Sequence, residues 1–171
     1  DTPYGDVELN YNSININESS VFLSFISNTL VYGIQFSLDN IIINNITAGN
    51  EVPEEFTVGY NENGQILIFS PEGLAIIPAN TEISLEIQYS NIEGPQTCIN
   101  QMDLISFVTT VSGEEADVTI ANNCIDVVQD CAGLWGGNNE VLDDCCSDNS
   151  YCVGPEGDFL AGTTCSEINY N

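Results

Sequence analysis

The sequence predicts an all-β protein: an antiparallel β-sandwich followed by a small disulfide-rich C-terminal extension. Three observations carry that prediction. Apolar and polar residues alternate with period two over many short stretches, as in strands with one buried face. Clusters of Gly, Pro, Asn and Asp separate those stretches at the spacing of about 8–12 residues typical of sandwiches. No stretch repeats its apolar residues at helical spacing.

In chain order, Val7, Leu9 and Tyr11 alternate over 7–12, and Ile14 and Ile16 then continue on the opposite parity, so a bulge or break is expected near Ser13. Val21, Leu23 and Phe25 form the next set. Ile34, Phe36 and Leu38 follow, interleaved with Gln35, Ser37 and Asp39. Residues 41–47, the set Phe56, Val58 and Tyr60, and residues 65–70 come next. The clearest case is Ile83, Leu85, Ile87 and Tyr89 against Ser84, Glu86, Gln88 and Ser90. Residues 103–111 and 116–121 read as a closing hairpin. The turns are Asn61-Glu62-Asn63-Gly64, Ser70-Pro71-Glu72-Gly73, Glu93-Gly94-Pro95 and Ser112-Gly113.

The first sixteen residues admit two readings. They are the first strand of the sandwich, or an arm presenting Val7, Leu9, Tyr11, Ile14 and Ile16 to a neighbouring subunit's sheet. Composition shifts near Ile125–Gln129, dividing the chain into residues 1–125 and 126–171. Six of the seven cysteines lie in 124–171 among Gly, Asp and Asn, with few apolar residues. Such a segment needs covalent or metal staples in place of a core.

Charge excludes whole classes of function. The 171 residues include 26 acidic ones and no Lys, Arg or His, for a net charge of −26. Nothing can neutralise phosphates, which argues against nucleic acids and anionic membrane surfaces. Without His there is no Ser-His-Asp triad or His-ligated zinc, and without Lys no Schiff base. The carboxylates must be served by water, backbone N–H groups or bound cations. A hydrophobic fraction of 43% is too high for a disordered acidic tail. No run of 18 apolar residues exists, so no membrane insertion is expected. The start Asp1-Thr2-Pro3-Tyr4 has neither a basic nor an apolar leader segment, as expected of a chain whose signal peptide has been removed.

Two stretches carry a family resemblance. Val31-Tyr32-Gly33-Ile34-Gln35-Phe36-Ser37-Leu38, with Ile66–Ser70 and Ile77-Pro78-Ala79-Asn80, resembles the cohesin-like, jelly-roll-like β-sandwich modules of secreted bacterial proteins, over residues 5–124. Asn80 stands where those modules have Gly, a tolerable change because Asn also accepts left-handed backbone. Cohesins proper bind dockerins. No residue here matches a diagnostic site for that activity, so the resemblance implies the fold only. Asp130-Cys131-Ala132-Gly133-Leu134-Trp135-Gly136-Gly137, followed by Asp143-Asp144-Cys145, resembles a Cys/Asp-rich linker repeat of large extracellular surface proteins.

Seven cysteines in this composition point to an oxidising compartment. Cys98 and Cys124 bracket the 103–111/116–121 hairpin, which makes their pairing natural; the resemblance implies the same pair. Cys131 with Cys145 would close the Trp-Gly-Gly loop. Cys146, Cys152 and Cys165 remain, an odd number, leaving one thiol free or bonded to another chain. Adjacent Cys145-Cys146 without Cys-x-x-Cys spacing argues against a zinc cluster. Asp130, Asp143, Asp144 and Asp148, with Asn138, Asn139 and Asn149, supply the oxygens a Ca²⁺ site needs; the other reading is a solvated acidic loop. Ca²⁺ is the one cofactor considered. The sequons Asn17-Glu18-Ser19 and Asn45-Ile46-Thr47 read as glycosylation sites or as chance in an Asn-rich chain.

Together these features predict a non-enzymatic extracellular or cell-surface protein. The expected role is the subunit of a homopolymeric fibre or filament. The alternative is an adhesive module of a larger surface protein, recognising carbohydrate or a partner domain. Exposed aromatics clustered on one sheet face favour the second; an arm shared between chains favours the first.

Overall fold

The computed structural model describes residues 4–101, 105–141, 151–153 and 159–164, with 140–141, 151–153 and 159–164 as strand backbone. The sandwich strands are β1 (Asp6–Asn15), β2 (Ser20–Ser27), β3 (Gly33–Asp39), β4 (Ile41–Ala48), β5 (Thr57–Tyr60), β6 (Gln65–Phe69), β7 (Glu82–Ile92), β8 (Gln96–Ile99), β9 (Ser106–Val108), β10 (Asp117–Asn122) and β11 (Cys124–Asp126). Beyond them β12 (Glu140–Val141), β13 (Tyr151–Val153) and β14 (Phe159–Thr164) form a separate three-stranded antiparallel sheet.

Two sheets make the sandwich. Sheet I has the order β10-β1-β2-β7-β4, and sheet II the order β11-β8-β3-β6-β5. The short β9 joins sheet II along β3, pairing with Gly33–Gln35, while β8 pairs with Leu38 and Asp39 further along. All sandwich pairs are antiparallel except β1 with β10, so the sandwich is mixed.

The alternation seen in the sequence closes the core. Leu9, Val21, Leu23, Ile83, Leu85 and Ile87 of sheet I face Ile34, Phe36, Ile66, Ile68 and Phe107 of sheet II, all buried. Phe25 meets Phe107 edge-on across the interface, with ring centroids 5.0 Å apart. Each such side chain contributes about 1.5–3 kcal/mol by leaving water. One polar bridge crosses the apolar layer. Thr97 on β8 donates its hydroxyl proton to the Asp39 carbonyl at 2.9 Å, so the buried Tyr11 hydroxyl on β1 donates to Thr97 Oγ1 at 3.1 Å.

The structure decides between the two readings of the first sixteen residues, in favour of the first strand, and narrows the closing hairpin. Val7, Leu9 and Tyr11 do not form an arm for another subunit. They are fully buried, on a strand held between β2 and β10 of its own sheet. The register shift expected near Ser13 falls between Tyr11 and Ser13 and lets β1 run on, so Ile14 packs at the core margin and Ile16 lies in the turn beyond. Second, the 103–111/116–121 hairpin is confined to its tip, an antiparallel bridge between Val108 and Glu115. There the Thr109 N–H donates to the Glu114 carbonyl and the Ala116 N–H to the Phe107 carbonyl. β9 pairs with β3 in sheet II and β10 with β1 in sheet I, because each strand buries more by joining an existing sheet than by pairing locally. The predicted antiparallel sandwich is the fold found, with the β1–β10 pair its one parallel contact.

After β11 the chain stays against the sandwich. Val127 is buried and its N–H donates to the Pro95 carbonyl at 2.8 Å. Trp135 packs at the core margin, and Tyr89 donates its buried hydroxyl to the Gly136 carbonyl at 2.9 Å. The expected boundary at residue 125 falls inside β11.

Candidate binding face

Strand β6 differs from its neighbours. Ile66 and Ile68 point into the core, yet the alternate positions Leu67 and Phe69 are also apolar and stand 42% and 37% exposed. Register places Gly33, Phe69 and Thr57 in one row across β3, β6 and β5, with Val108 of β9 beside Gly33. The next row is Ser106, Gln35, Leu67 and Gly59. These positions carry no charge, and the acidic Glu115, which bridges Val108 and accepts the Ser106 hydroxyl at 3.0 Å, closes their β9 end. The equivalent rows of sheet I carry Asp117, Asp6, Glu8, Glu82 and Glu86.

Small residues shape the neutral face. A Cβ on Gly33 would stand 3.6 Å from Phe69 Cβ and 3.7 Å from Val108 Cβ, so its absence leaves a hollow of about 280 Å³ beside Phe69. Val111, 70% exposed, and Gly73 border it. Across the Leu67–Phe69 ridge a second hollow of about 330 Å³ is lined by Gln35, Gly59, Tyr60 and Gln65. Glu72 lies on the rim of the first. The ridge with two depressions is apolar at its centre and acidic at its edge.

Sequence reasoning missed Gly33, Leu67, Phe69, Val108 and Val111. The available signal was Gln65-Ile66-Leu67-Ile68-Phe69, apolar on both parities.

The other site residues lie elsewhere. Cys98 and Cys124 sit opposite one another on β8 and β11 and are disulfide-bonded, with Cα atoms 4.1 Å apart. Cys131 is also in a disulfide. Asp143, Asp144, Asp148, Cys145, Cys146 and Cys165 lie outside the described residues, as does the side chain of Cys152.

Asp130 is described, and its carboxylate is occupied by its own loop. Oδ1 accepts the N–H groups of Ala132 and Leu134 at 2.9 Å each, and Oδ2 accepts the backbone N–H and side-chain amide of Asn139. A carboxylate has about four lone-pair sites, and these four bonds use them. Gly133 and Gly136 take positive φ within the same loop, at 81° and 64°. Among the described residues no group of three or more His, Cys, Asp or Glu side chains is placed to hold a metal ion. Asn17 is exposed in the β1–β2 turn, and Asn45 is exposed on β4.

No family profile matches the chain, and no curated protein does. Among solved structures, a type I cohesin of ScaB from Pseudobacteroides cellulosolvens matches at 17% identity and a TM-score of 0.48, over 71% of this chain and 92% of that one. A cohesin module from a Clostridium perfringens family 33 glycoside hydrolase matches at 14% identity and TM-score 0.34, over 68% and 97%. An exo-β-N-acetylglucosaminidase from Vibrio harveyi matches at 16% identity and TM-score 0.33, over 68% of this chain but 18% of the enzyme. At these scores and identities nothing of what those proteins do transfers to this chain.

Proposed function

We propose that this chain is a non-catalytic extracellular binding module that docks a protein partner on the outward face of sheet II. The supporting observation is the uncharged apolar ridge of Leu67 and Phe69, flanked by hollows, in a chain whose other outward sheet face is acidic. Interface centres are depleted of charge and enriched in aromatic and aliphatic anchors, with polar rims. Leu67, Val108 and Val111 supply aliphatic surface that suits protein side chains better than sugar hydroxyls. With every side-chain charge negative, the complementary partner is a different protein carrying Lys or Arg around an apolar centre.

The fibre reading loses the arm that was to build it, since β1 completes its own sheet. Calcium remains a proposal for Asp143, Asp144 and Asp148. Asp130 could join only by releasing the N–H groups it now holds.

A photo-crosslinking residue at Leu67, with a control at Ser84 on the outward face of sheet I, tests the binding face in the native host. A discrete adduct at Leu67 and none at Ser84 is expected. The identified partner, purified, should bind at least about tenfold more weakly to Leu67→Ser/Phe69→Ser, the loss of a modest hot spot. Equal adducts at both positions, or unchanged affinity, would overturn the assignment.

A further inference from the structure

An exposed sheet edge offers unpaired N–H and C=O groups to any other chain, and natural proteins blunt such edges with charge, Pro or a covering element. The sandwich has five edge strands, of which three-residue β9 is covered by the Val108–Glu115 bridge beside it. β10 carries Asp117 and β11 carries Asp126, while four-residue β5 is flanked by Glu55 and Glu62. β4 is different. Its eight residues, Ile-Ile-Ile-Asn-Asn-Ile-Thr-Ala, contain no charge and no Pro, and the uncharged run extends from Asn40 to Asn50. High β-propensity, low charge and absence of Pro are the signature of an aggregation-prone segment. The interior strands β2, β6 and β8 are also uncharged, but they are paired on both sides. Lysine, the commonest edge gatekeeper, does not occur in this chain.

The middle of β4 carries the sequon Asn45-Ile46-Thr47. Period-two geometry sends Ile46 inward, where it is buried, and leaves both Asn45 and Thr47 exposed. The Asn45 amide makes one long contact, 3.3 Å to Gln88 Oε1. The strand's carbonyl at Asn44 accepts the Tyr60 hydroxyl, so part of the edge is already tied. The disulfides at Cys98–Cys124 and Cys131 belong to an oxidising compartment, the kind in which N-glycans are attached.

We propose that Asn45 is an N-glycosylation site and that its glycan is the gatekeeper of the β4 edge. In the transfer, Asn45 Nδ2 forms a C–N bond to the anomeric carbon of a polyprenyl-pyrophosphate-linked oligosaccharide. The anomeric C–O bond breaks, polyprenyl pyrophosphate leaves, and one amide proton passes to the transferase. The bulky hydrophilic glycan then prevents a second copy from pairing along Ile42–Thr47. Asn17, exposed in the β1–β2 turn, is the second sequon and lies outside this edge.

The native protein is digested with a Glu-specific protease, since trypsin has no site, which places Asn17 and Asn45 on separate peptides ending at Glu18 and Glu51. Amidase deglycosylation in heavy-oxygen water should convert Asn45 to labelled Asp; an unmodified Asn45 peptide overturns the site. Enzymatic removal itself creates a charged Asp, so the gatekeeper role is tested with variants. Asn45→Gln should keep its fold by circular dichroism yet sediment as larger species as concentration rises. Thr47→Ser, which retains the sequon, and Asn45→Asp, which replaces glycan with charge, should both stay monomeric. If Asn45→Gln is as monomeric as the parent, the glycan does not guard this edge.

Discussion

At the scale of single residues, Tyr11 shows how a sandwich places a polar atom in an apolar layer. Burial holds its phenol above the ordinary value of 10.0. The unfolded chain releases this proton near the ordinary value and the folded chain does not. Tyr11 therefore contributes its full stability below that pH and loses it as pH rises toward the folded value. Tyr89 shifts the same way by burial. Tyr11→Phe should cost about 1 kcal/mol at neutral pH, since Thr97 keeps its bond to the Asp39 carbonyl, and should flatten the alkaline fall in melting temperature. A melt series from neutral pH to above pH 10 reads both effects. Gly136 makes a second case. Its φ is +64°, and a Cβ there would lie 2.9 Å from Ile92 Cδ1 and 3.0 Å from the Tyr89 hydroxyl. Gly136→Ala should release the 127–139 segment, seen as faster exchange of the Leu134 and Gly133 amides with β7 unchanged.

At the scale of elements, β11 is three residues long and rests on β8 through one disulfide and a short ladder. Cys98→Ser/Cys124→Ser opens a loop of 26 residues, which corresponds to about 3 kcal/mol of chain entropy. Chemical denaturation of the double variant should show a loss of that size. Deleting residues 1–16 removes a strand paired on both sides, so the truncated protein should be unfolded by circular dichroism; a folded, soluble product would contradict the placement of β1. The elements differ in how legible they were. Strands such as Ile83–Tyr89 showed themselves because one face is dry and the other wet, which writes period two into the sequence. β8, β9 and β11 have three or four residues each, too few for a period to appear. The partner of β10 was hidden because pairing with β1 depends on contacts more than a hundred residues away, and local pattern suggested the nearer hairpin. In β6 the apolar run Ile66–Phe69 marked a strand but did not say that alternate members face solvent, and the binding face lies in that ambiguity.

At the scale of the whole molecule, a net charge of −26 with no basic side chain makes folding work against its own field. Screening acts within about 10 Å at 0.1 M salt. The melting temperature should therefore rise with sodium chloride from low ionic strength and level off near physiological salt. Calcium at matched ionic strength should add nothing through Asp130; a further shift with calcium but not with sodium would assign a discrete site to Asp143, Asp144 and Asp148. Binding at the sheet II face should slow markedly with salt if the partner is basic, because encounter is steered by charge while the apolar centre sets dissociation.

The parallel contact between β1 and β10 also governs when the protein can become itself. Asn122 on β10 donates its side-chain amide to the Tyr11 carbonyl, a pairing between residues 111 apart. A chain made or exported from its N-terminus displays Val7, Leu9 and Tyr11 early, and the strand that flanks them arrives only after most of the domain has emerged. Contacts of such sequence separation are slow to close, because loop entropy must be overcome before they contribute stability. Sheet I is therefore completed last, and refolding from denaturant should show its slowest phase in the protection of β1 and β10 amides while β2 and β7 are already guarded.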